Sequence, residues 1–227
     1  MEPLAVRAER KPFRGRLTRD AIVHAAIKMI DADDISGFSM RKLGKSLGVE
    51  AMALYHHFKN REEILEAVAE EITAEITAND AVDSGKSWQD QIKISSQTAL
   101  DVMRSHKGAL SLMLEHGKIS APWMMWHEQQ LGILLGAGLP PREAIAAFRA
   151  ISSYIFGFTG FETRYRPIME KKDSVNVMIE EFRKSDYTNL KSATDYFRRD
   201  WDDQFDAGLD LLISGIEAQI DMLSKVS

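Results

Sequence analysis

Apolar residues near the start of the chain recur with the period of a helix, and the polar residues between them fall where helices begin and end. Ile22, Ala25, Ala26, Met29 and Ile30 lie at i, i+3, i+4, i+7 and i+8, a single helical face. Thr18 stands at the N-cap position, and Asp20 puts negative charge in the first turn, where the helix dipole favours it. This first helix is expected to end near Asp33. Ser39 caps a second, short helix that turns Leu43 and Leu47 inward, and Gly48 is the residue that most easily takes the left-handed conformation that stops it. Val49 leads into a third helix whose Leu54 and Phe58, four apart, face inward and leave Ala51, Met52, Ala53, Tyr55 and His56 on other faces. Two short helices joined by a glycine turn form a helix-turn-helix, whose second helix lies in the major groove of DNA.

Nearly all of the remainder reads as helix, because alternating β-branched runs are absent and prolines such as Pro122, Pro140, Pro141 and Pro167 sit at boundaries. A fourth helix is predicted from Asn60, with Glu63 in a capping-box arrangement, to about Thr77 on Ile64, Leu65, Val68, Ile72 and Ile76. A loop over Asn79 to Ser87 precedes a fifth helix from Trp88 to about Ser105, and a short helix follows around Ala109 to Glu115. Pro122 to Leu135 and Pro141 to Arg164 are the next helices, then a polar stretch from Tyr165 to about Asn189, then a long helix from Thr194 to Leu223. The Pro141 to Arg164 helix is apolar nearly all round, with Ile145, Phe148, Ile155 and Phe156 on one side and Ala147, Ile151, Tyr154, Phe158 and Phe161 on another, so it must be buried. On the last helix Phe205, Leu209, Leu212, Ile216, Ile220 and Leu223 form a bundle seam. The fold class is all-α.

Charge separates the two ends. Residues 1–61 hold 12 Lys and Arg against 7 Asp and Glu, whereas residues 62–227 hold 17 against 27. A basic head on an acidic body suits a phosphate-binding surface. At 227 residues and 44% hydrophobic content there is material for two domains and a buried core. No apolar run approaches the ~18 to 20 residues a bilayer crossing needs, and Met1 to Arg16 lacks the apolar stretch of a signal peptide, so a cytoplasmic protein is expected. The absence of cysteine excludes disulfides, thiolate metal sites and a cysteine nucleophile. His127-Glu128 has Leu131 where a zinc protease motif needs histidine, and neither a GxxxxGK loop nor a GxSxG turn occurs. No enzymatic activity, cofactor or metal is therefore expected. The alternative reading is a helical ligand carrier or enzyme whose amino-terminal bundle is only structural.

Leu17-Thr18-Arg19, Ala25-Ala26, Phe38-Ser39-Met40-Arg41-Lys42-Leu43, Leu47-Gly48-Val49, Leu54-Tyr55-His56-His57-Phe58 and Asn60-Arg61-Glu62-Glu63-Ile64-Leu65 together resemble the TetR family of bacterial transcription repressors. The resemblance implies a basic arm over 1–17, a helix-turn-helix DNA-binding domain over 18–64 and a ligand-binding and dimerisation domain over 65–227, joined by helix 60–77. It implies a homodimeric repressor, paired through helices 141–164 and 194–223, that a small hydrophobic or aromatic effector releases from a palindromic operator. The run from Phe205 to Leu212 with Gly215-Ile216 resembles the family's terminal helix.

Carried over position by position, Arg41, Ala51, Met52, Ala53, Tyr55 and His56 face the groove, and His57, Lys59 and Arg61 lie near phosphates. With few donors on the third helix, alanine and methionine would meet thymine methyls and Arg41 would supply the main hydrogen bonds. Arg7, Arg10, Lys11, Arg14 and Arg16 resemble minor-groove arms in the Arg14-Gly15-Arg16 core, though a basic arm that adds only counterion release is the simpler reading. Helices that the resemblance places around a pocket contribute Met103, Leu112, Met113, Trp123, Met124, His127, Phe148, Ser152 and Phe156, a wall suited to a flat apolar ligand. Trp88 to Arg164 resembles the sensor domain of the tetracycline repressors within the family. Their metal-coordinating histidine is not evident here, since His116 would need a shifted alignment, so tetracycline–magnesium is not the expected effector.

Overall fold

The computed structural model describes residues 16–80, 85–115, 118–198 and 200–225. Arg7, Arg10, Lys11, Arg14 and His116 fall outside the described residues, and Arg16 is exposed at their edge. Among the described residues every regular element is a helix.

The head forms as its caps dictate. Helix α1 (Arg19–Asp33) starts at Thr18, whose hydroxyl accepts from the Ala21 N–H, and buries Ile22, Val23, Ala26, Ile27 and Ile30. Helix α2 (Met40–Leu47) starts at Ser39, whose hydroxyl accepts from the Lys42 N–H, and stops at Gly48 in the left-handed region at φ 68°. Helix α3 (Ala51–Leu54) is a single turn, and its backbone winds on through His57 and Phe58, whose N–H groups both donate to the Leu54 carbonyl at 2.9 and 3.0 Å. Gly44 is where α2 lies against this turn: a Cβ there would come within 2.8 Å of the Val49 carbonyl oxygen. Helix α4 (Arg61–Asn79) begins with Asn60 Oδ1 accepting from the Glu63 N–H and buries Ile64, Leu65, Val68, Ile72 and Ile76.

In the body α5 (Trp88–Ser105), α6 (Leu110–Glu115) and α7 (Ala121–Gly136) pack against α4, while α8 (Pro141–Met169) packs on α5 and α7 and carries α11 (Trp201–Ser224). The polar stretch from Tyr165 to about Asn189, where the sequence pattern assigns no helix, holds α9 (Lys172–Lys184) and the start of α10 (Thr188–Ala193). Neither begins with a side-chain cap, which leaves little local signal of a start. The last helix begins at Trp201 rather than Thr194, because Thr194–Arg198 is a 3-10 turn. Its inward seam is Trp201, Phe205, Leu209, Ile213 and Ile216, so Ile213 takes the fully buried place expected of Leu212.

Helix α8 has the length and apolar character of a membrane-crossing helix, yet it packs against α5, α7 and α11 and buries a charged group. Glu162, only 3% exposed, accepts from Arg104 Nε and Nη2 on α5, both at 2.9 Å, and pairs with Arg166 one turn along. Arg104 also reaches Asp202 on α11 at 2.7 Å, so one ionic hub joins three helices. Nearby, the Tyr154 hydroxyl donates to the Phe205 carbonyl at 2.9 Å, and its pKa is pushed up to about 12 by burial and by the charge of Asp206. Gly208 leaves room for this ring, since a Cβ there would lie 2.2 Å from the tyrosine oxygen.

Candidate functional site

The chain presents two surfaces with chemistry, one on the head and one between head and body. On the head, Met52 is 71% exposed and Tyr55 47%, and Arg41, His56 and Lys59 are also exposed. Ala51, Ala53, His57 and Arg61 are half-buried. These residues fall on α2, on α3, on the turn after it and, for Arg61, at the first position of α4, the side of the head away from its Leu43, Leu54 and Phe58 core. Arg61 is already engaged: it donates to Glu62 at 3.0 Å and its guanidinium lies 5.5 Å from the Phe38 ring centre. Glu50, exposed at the N-cap of α3 with no capping bond of its own, joins this face and carries no mark in the sequence pattern.

Arg19 locks the head to α4. Its Nη1 donates to the His57 carbonyl and to Glu63 Oε1, and its guanidinium sits 4.0 Å above the Phe58 ring centre. The second oxygen of Glu63 accepts from the Lys59 N–H at 2.7 Å, so the capping box closes on the residue before the cap rather than on Asn60 itself. The Lys59 N–H and the charge of Arg19 hold the Glu63 pKa below its ordinary value, although desolvation works the other way.

The head also touches the body directly. The 3-10 turn Lys107–Ala109 after α5 packs against the end of α1, and a Cβ on Gly108 would fall 2.1 Å from the Ile30 carbonyl oxygen. Beside it, His106 bridges Asp31 on α1 through Nδ1 at 2.9 Å and Glu75 on α4 through Nε2 at 3.1 Å. Burial opposes the charged ring, but the hydrogen bonds and charges of Asp31 and Glu75 outweigh it and raise the histidine pKa. The opposite end of α4 is pinned at Asp80, which accepts from Ser95 at 2.6 Å and from Gln130 at 2.9 Å and has its pKa raised by burial.

Between these anchors, α4 forms one wall of a cavity of about 670 Å³, within the size range of small-molecule sites. Seven of the residues expected there, Met103, Met113, Trp123, His127, Phe148, Ser152 and Phe156, line it together. Leu112 and Met124 do not: Leu112 is wholly buried in the core, and Met124, 52% exposed, points off α7 to the outside. Missed by sequence reasoning were Arg19, Glu63, Glu66, Ala67, Glu70 and Thr73 from the head and α4, together with Trp126 and Arg149. The run of small and polar residues on α4 opposite its core stripe is the signal that could have found that wall.

The inner part of the cavity is aromatic. Trp123 stacks on His127 at 3.5 Å between ring centres, and Phe148 meets His127 edge-on at 4.6 Å and Trp126 at 5.5 Å. His127 Nδ1 lies 2.8 Å from the Trp123 carbonyl, so that nitrogen carries the proton and Nε2 is left as an acceptor. Burial lowers the His127 pKa, only partly countered by that bond, and favours the neutral ring. Trp126 Nε1 and Ser152 Oγ are buried with no hydrogen-bond partner among the described residues. Each costs about 1 to 3 kcal/mol for as long as it stays unpaired.

A helix-turn-helix head whose connecting helix also forms one wall of a cavity in the body defines an all-helical DNA-binding regulator. The chain belongs to the tetR family of bacterial regulatory proteins: residues 22–68 match that family's amino-terminal domain, and residues 82–220 match the family described as tetracyclin repressor-like, C-terminal domain. It is a transcriptional regulator. It is 28% identical over 204 residues to an HTH-type transcriptional regulator of Saccharopolyspora erythraea, covering 89% of this chain and 85% of that one. It is 26% identical over 222 residues to the class D tetracycline repressor protein from Escherichia coli, covering 93% and 94%. Its fold matches the Streptomyces coelicolor TetR family protein ActR in complex with actinorhodin, with a TM-score of 0.78 at 21% identity over 91% of this chain and 99% of that one.

Proposed function

We propose that this protein is a homodimeric repressor that occupies a near-palindromic operator and leaves it when a small, flat, hydrophobic effector fills the cavity beside α4. The observation that carries this reading is the shared wall: α4 lines the cavity along its length, and its first turn, with Arg19 and Glu63, belongs to the head. A ligand that shifts α4 must tilt α3. Coupling of about 1 to 3 kcal/mol changes DNA affinity roughly 5 to 150-fold, so a small tilt is enough. The ActR complex shows a protein of this fold bound to actinorhodin, and the aromatic inner wall here suits a flat ring system.

Dimerisation is supported by two exposed strips. Leu211, Gly215, Ala218 and Met222 recur along the outer side of α11, and Ala146, Ala150, Ser153, Gly157 and Phe161 along the outer side of α8. A Cβ on Gly157 or Gly215 would meet nothing within 4 Å, so a second α8–α11 pair can approach closely there. Two-fold pairing would set the two α3 helices ~34 to 36 Å apart, one turn of DNA. In the groove, Arg41 bonds a guanine edge while Ala51, Met52 and Ala53 contact thymine methyls. Lys59 and His57 neutralise phosphates.

Arg41→Ala and Tyr55→Ala test the reading together. Each should weaken binding to inverted-repeat fragments of the protein's own promoter by at least tenfold, about 1.4 kcal/mol, in a titration across salt concentrations. Unchanged affinity would place the DNA surface elsewhere. Leu211→Lys should turn the dimer into a monomer in sedimentation and abolish operator binding with it.

A further inference from the structure

Helix α3 is a single turn, Ala51–Leu54, too short to hold a direction of its own. The segment leading into it lies against α2 at Gly44, and Leu54 and Phe58 anchor it in the core. Beyond Leu54 the chain is held from a distance, by the first residue of α1. Arg19 Nη1 donates to the His57 carbonyl and, at 3.1 Å, to Glu63 Oε1, while its guanidinium lies 4.0 Å from the Phe58 ring centre. The His57 and Phe58 N–H groups both donate to the Leu54 carbonyl, so a hold on these two residues is a hold on the end of α3. Glu63 closes the loop: its Oε2 accepts from the Lys59 N–H at 2.7 Å, and its own N–H donates to Asn60 Oδ1 at 2.8 Å. Between them Arg19 and Glu63 grip each residue from His57 to Asn60.

From this arrangement we infer that Arg19, paired with Glu63, is a positioning residue for DNA reading: it sets the direction of α3 and the reach of His57 and Lys59 toward phosphate without touching DNA itself. Arg19 lies ahead of residues 22–68, the span that matches the family's amino-terminal domain, so that match gives it no part. A guanidinium suits the task because it is planar and carries five N–H donors, which lets one side chain lie on a ring while it bonds a carbonyl and a carboxylate. Its charge is matched by Glu63, so its contribution to binding is geometric rather than electrostatic. Sequence-independent binding depends on charge near phosphates, whereas operator binding also depends on where α3 points, and loss of the clasp separates the two. The inference rests on α3 being the helix that enters the groove.

Anisotropy titrations of the full chain against an inverted-repeat duplex from its own promoter, and against a scrambled duplex of the same length at the same salt concentration, read the ratio of the two affinities. Arg19→Gln should lower that ratio about tenfold, through lost operator affinity, with scrambled binding within about twofold of the parent. Glu63→Gln should lower the ratio by about as much, and the double variant should be no worse than either single one, because both remove the same clasp. Arg19→Lys keeps the charge and a bond to Glu63 but has no plane to lay on Phe58, and it should stand about threefold below the parent. Circular dichroism reports folding, and should Arg19→Gln unfold, a lysine variant with the parent's ratio would overturn the inference. Equal losses on both duplexes would make Arg19 a phosphate contact and overturn it too, as would an unchanged ratio or single effects that multiply in the double variant. Arg41→Ala on the same duplexes separates the clasp from the groove assignment. If Arg41→Ala lowers the ratio and Arg19→Gln does not, the clasp alone is refuted; if neither does, α3 is not the reader and both ideas fall.

Discussion

The head and the body are built on different ranges of interaction. In the head the helix starts are set by contacts three residues apart, Thr18 to Ala21, Ser39 to Lys42 and Asn60 to Glu63, with Arg19 as the long-range clasp described above. In the body the deciding contacts span the chain, as Arg104 to Glu162 and Tyr154 to Phe205 do. A structure held by neighbours in sequence can keep its shape while it moves as a unit, whereas one held by distant partners must stay assembled as a whole. On the proposed reading, that division lets the head turn as a unit when the body around the cavity shifts.

Substitutions can set the two regions against each other. The largest effect is expected in the body: Arg104→Ala leaves Glu162 buried with Arg166 as its remaining cation and should cost about 3 kcal/mol in urea unfolding. At the junction, Gly108→Ala drives a Cβ into the Ile30 carbonyl and should cost about 2 kcal/mol, with proteolytic cleavage between head and body appearing before global unfolding. In the head, Ser39→Ala removes one cap and should cost about 1 kcal/mol while leaving the body's melting transition in place.

The smallest effect is one of pH. The raised pKa of His106 means that its bridge contributes fully below the ordinary histidine value of 6.5 and is lost as pH climbs through the raised value. The head–body contact should therefore loosen from neutral to mildly alkaline pH. His106→Gln should flatten that slope in hydrogen-exchange measurements on α1. A head that exchanges identically in both proteins at every pH would show that the bridge does not couple the two regions.

The same contrast explains what could be read from the sequence. The starts of α1, α2 and α4, and the Gly48 stop, follow from single residues whose chemistry fixes a helix end, and all were legible. Helix α9 was not, because Lys171 at its start makes no side-chain cap and Ile179 alone of its apolar residues is fully buried. Helix α8 was expected to stop at Arg164 ahead of Pro167, yet it runs to Met169 with Pro167 inside its last turn. The inward step from Leu212 to Ile213 depends on how α11 turns against α8, which periodicity alone does not fix. In the cavity, residues on the body helices were legible as an apolar group, but Arg19, Glu66 and Thr73 were not. They become wall residues only because α4 crosses from head to body at a particular angle.

Gly108 gives this arrangement a consequence for how the protein can change over time. On the proposed reading, the cavity residues Trp126, His127 and Ser152 that would meet a ligand lie on α7 and α8, whereas the close approach of body to head lies at a bare backbone seam beside Ile30. Mutation can thus remodel taste for new compounds without rewiring the transmission, and selection on the seam should tolerate nothing larger than hydrogen.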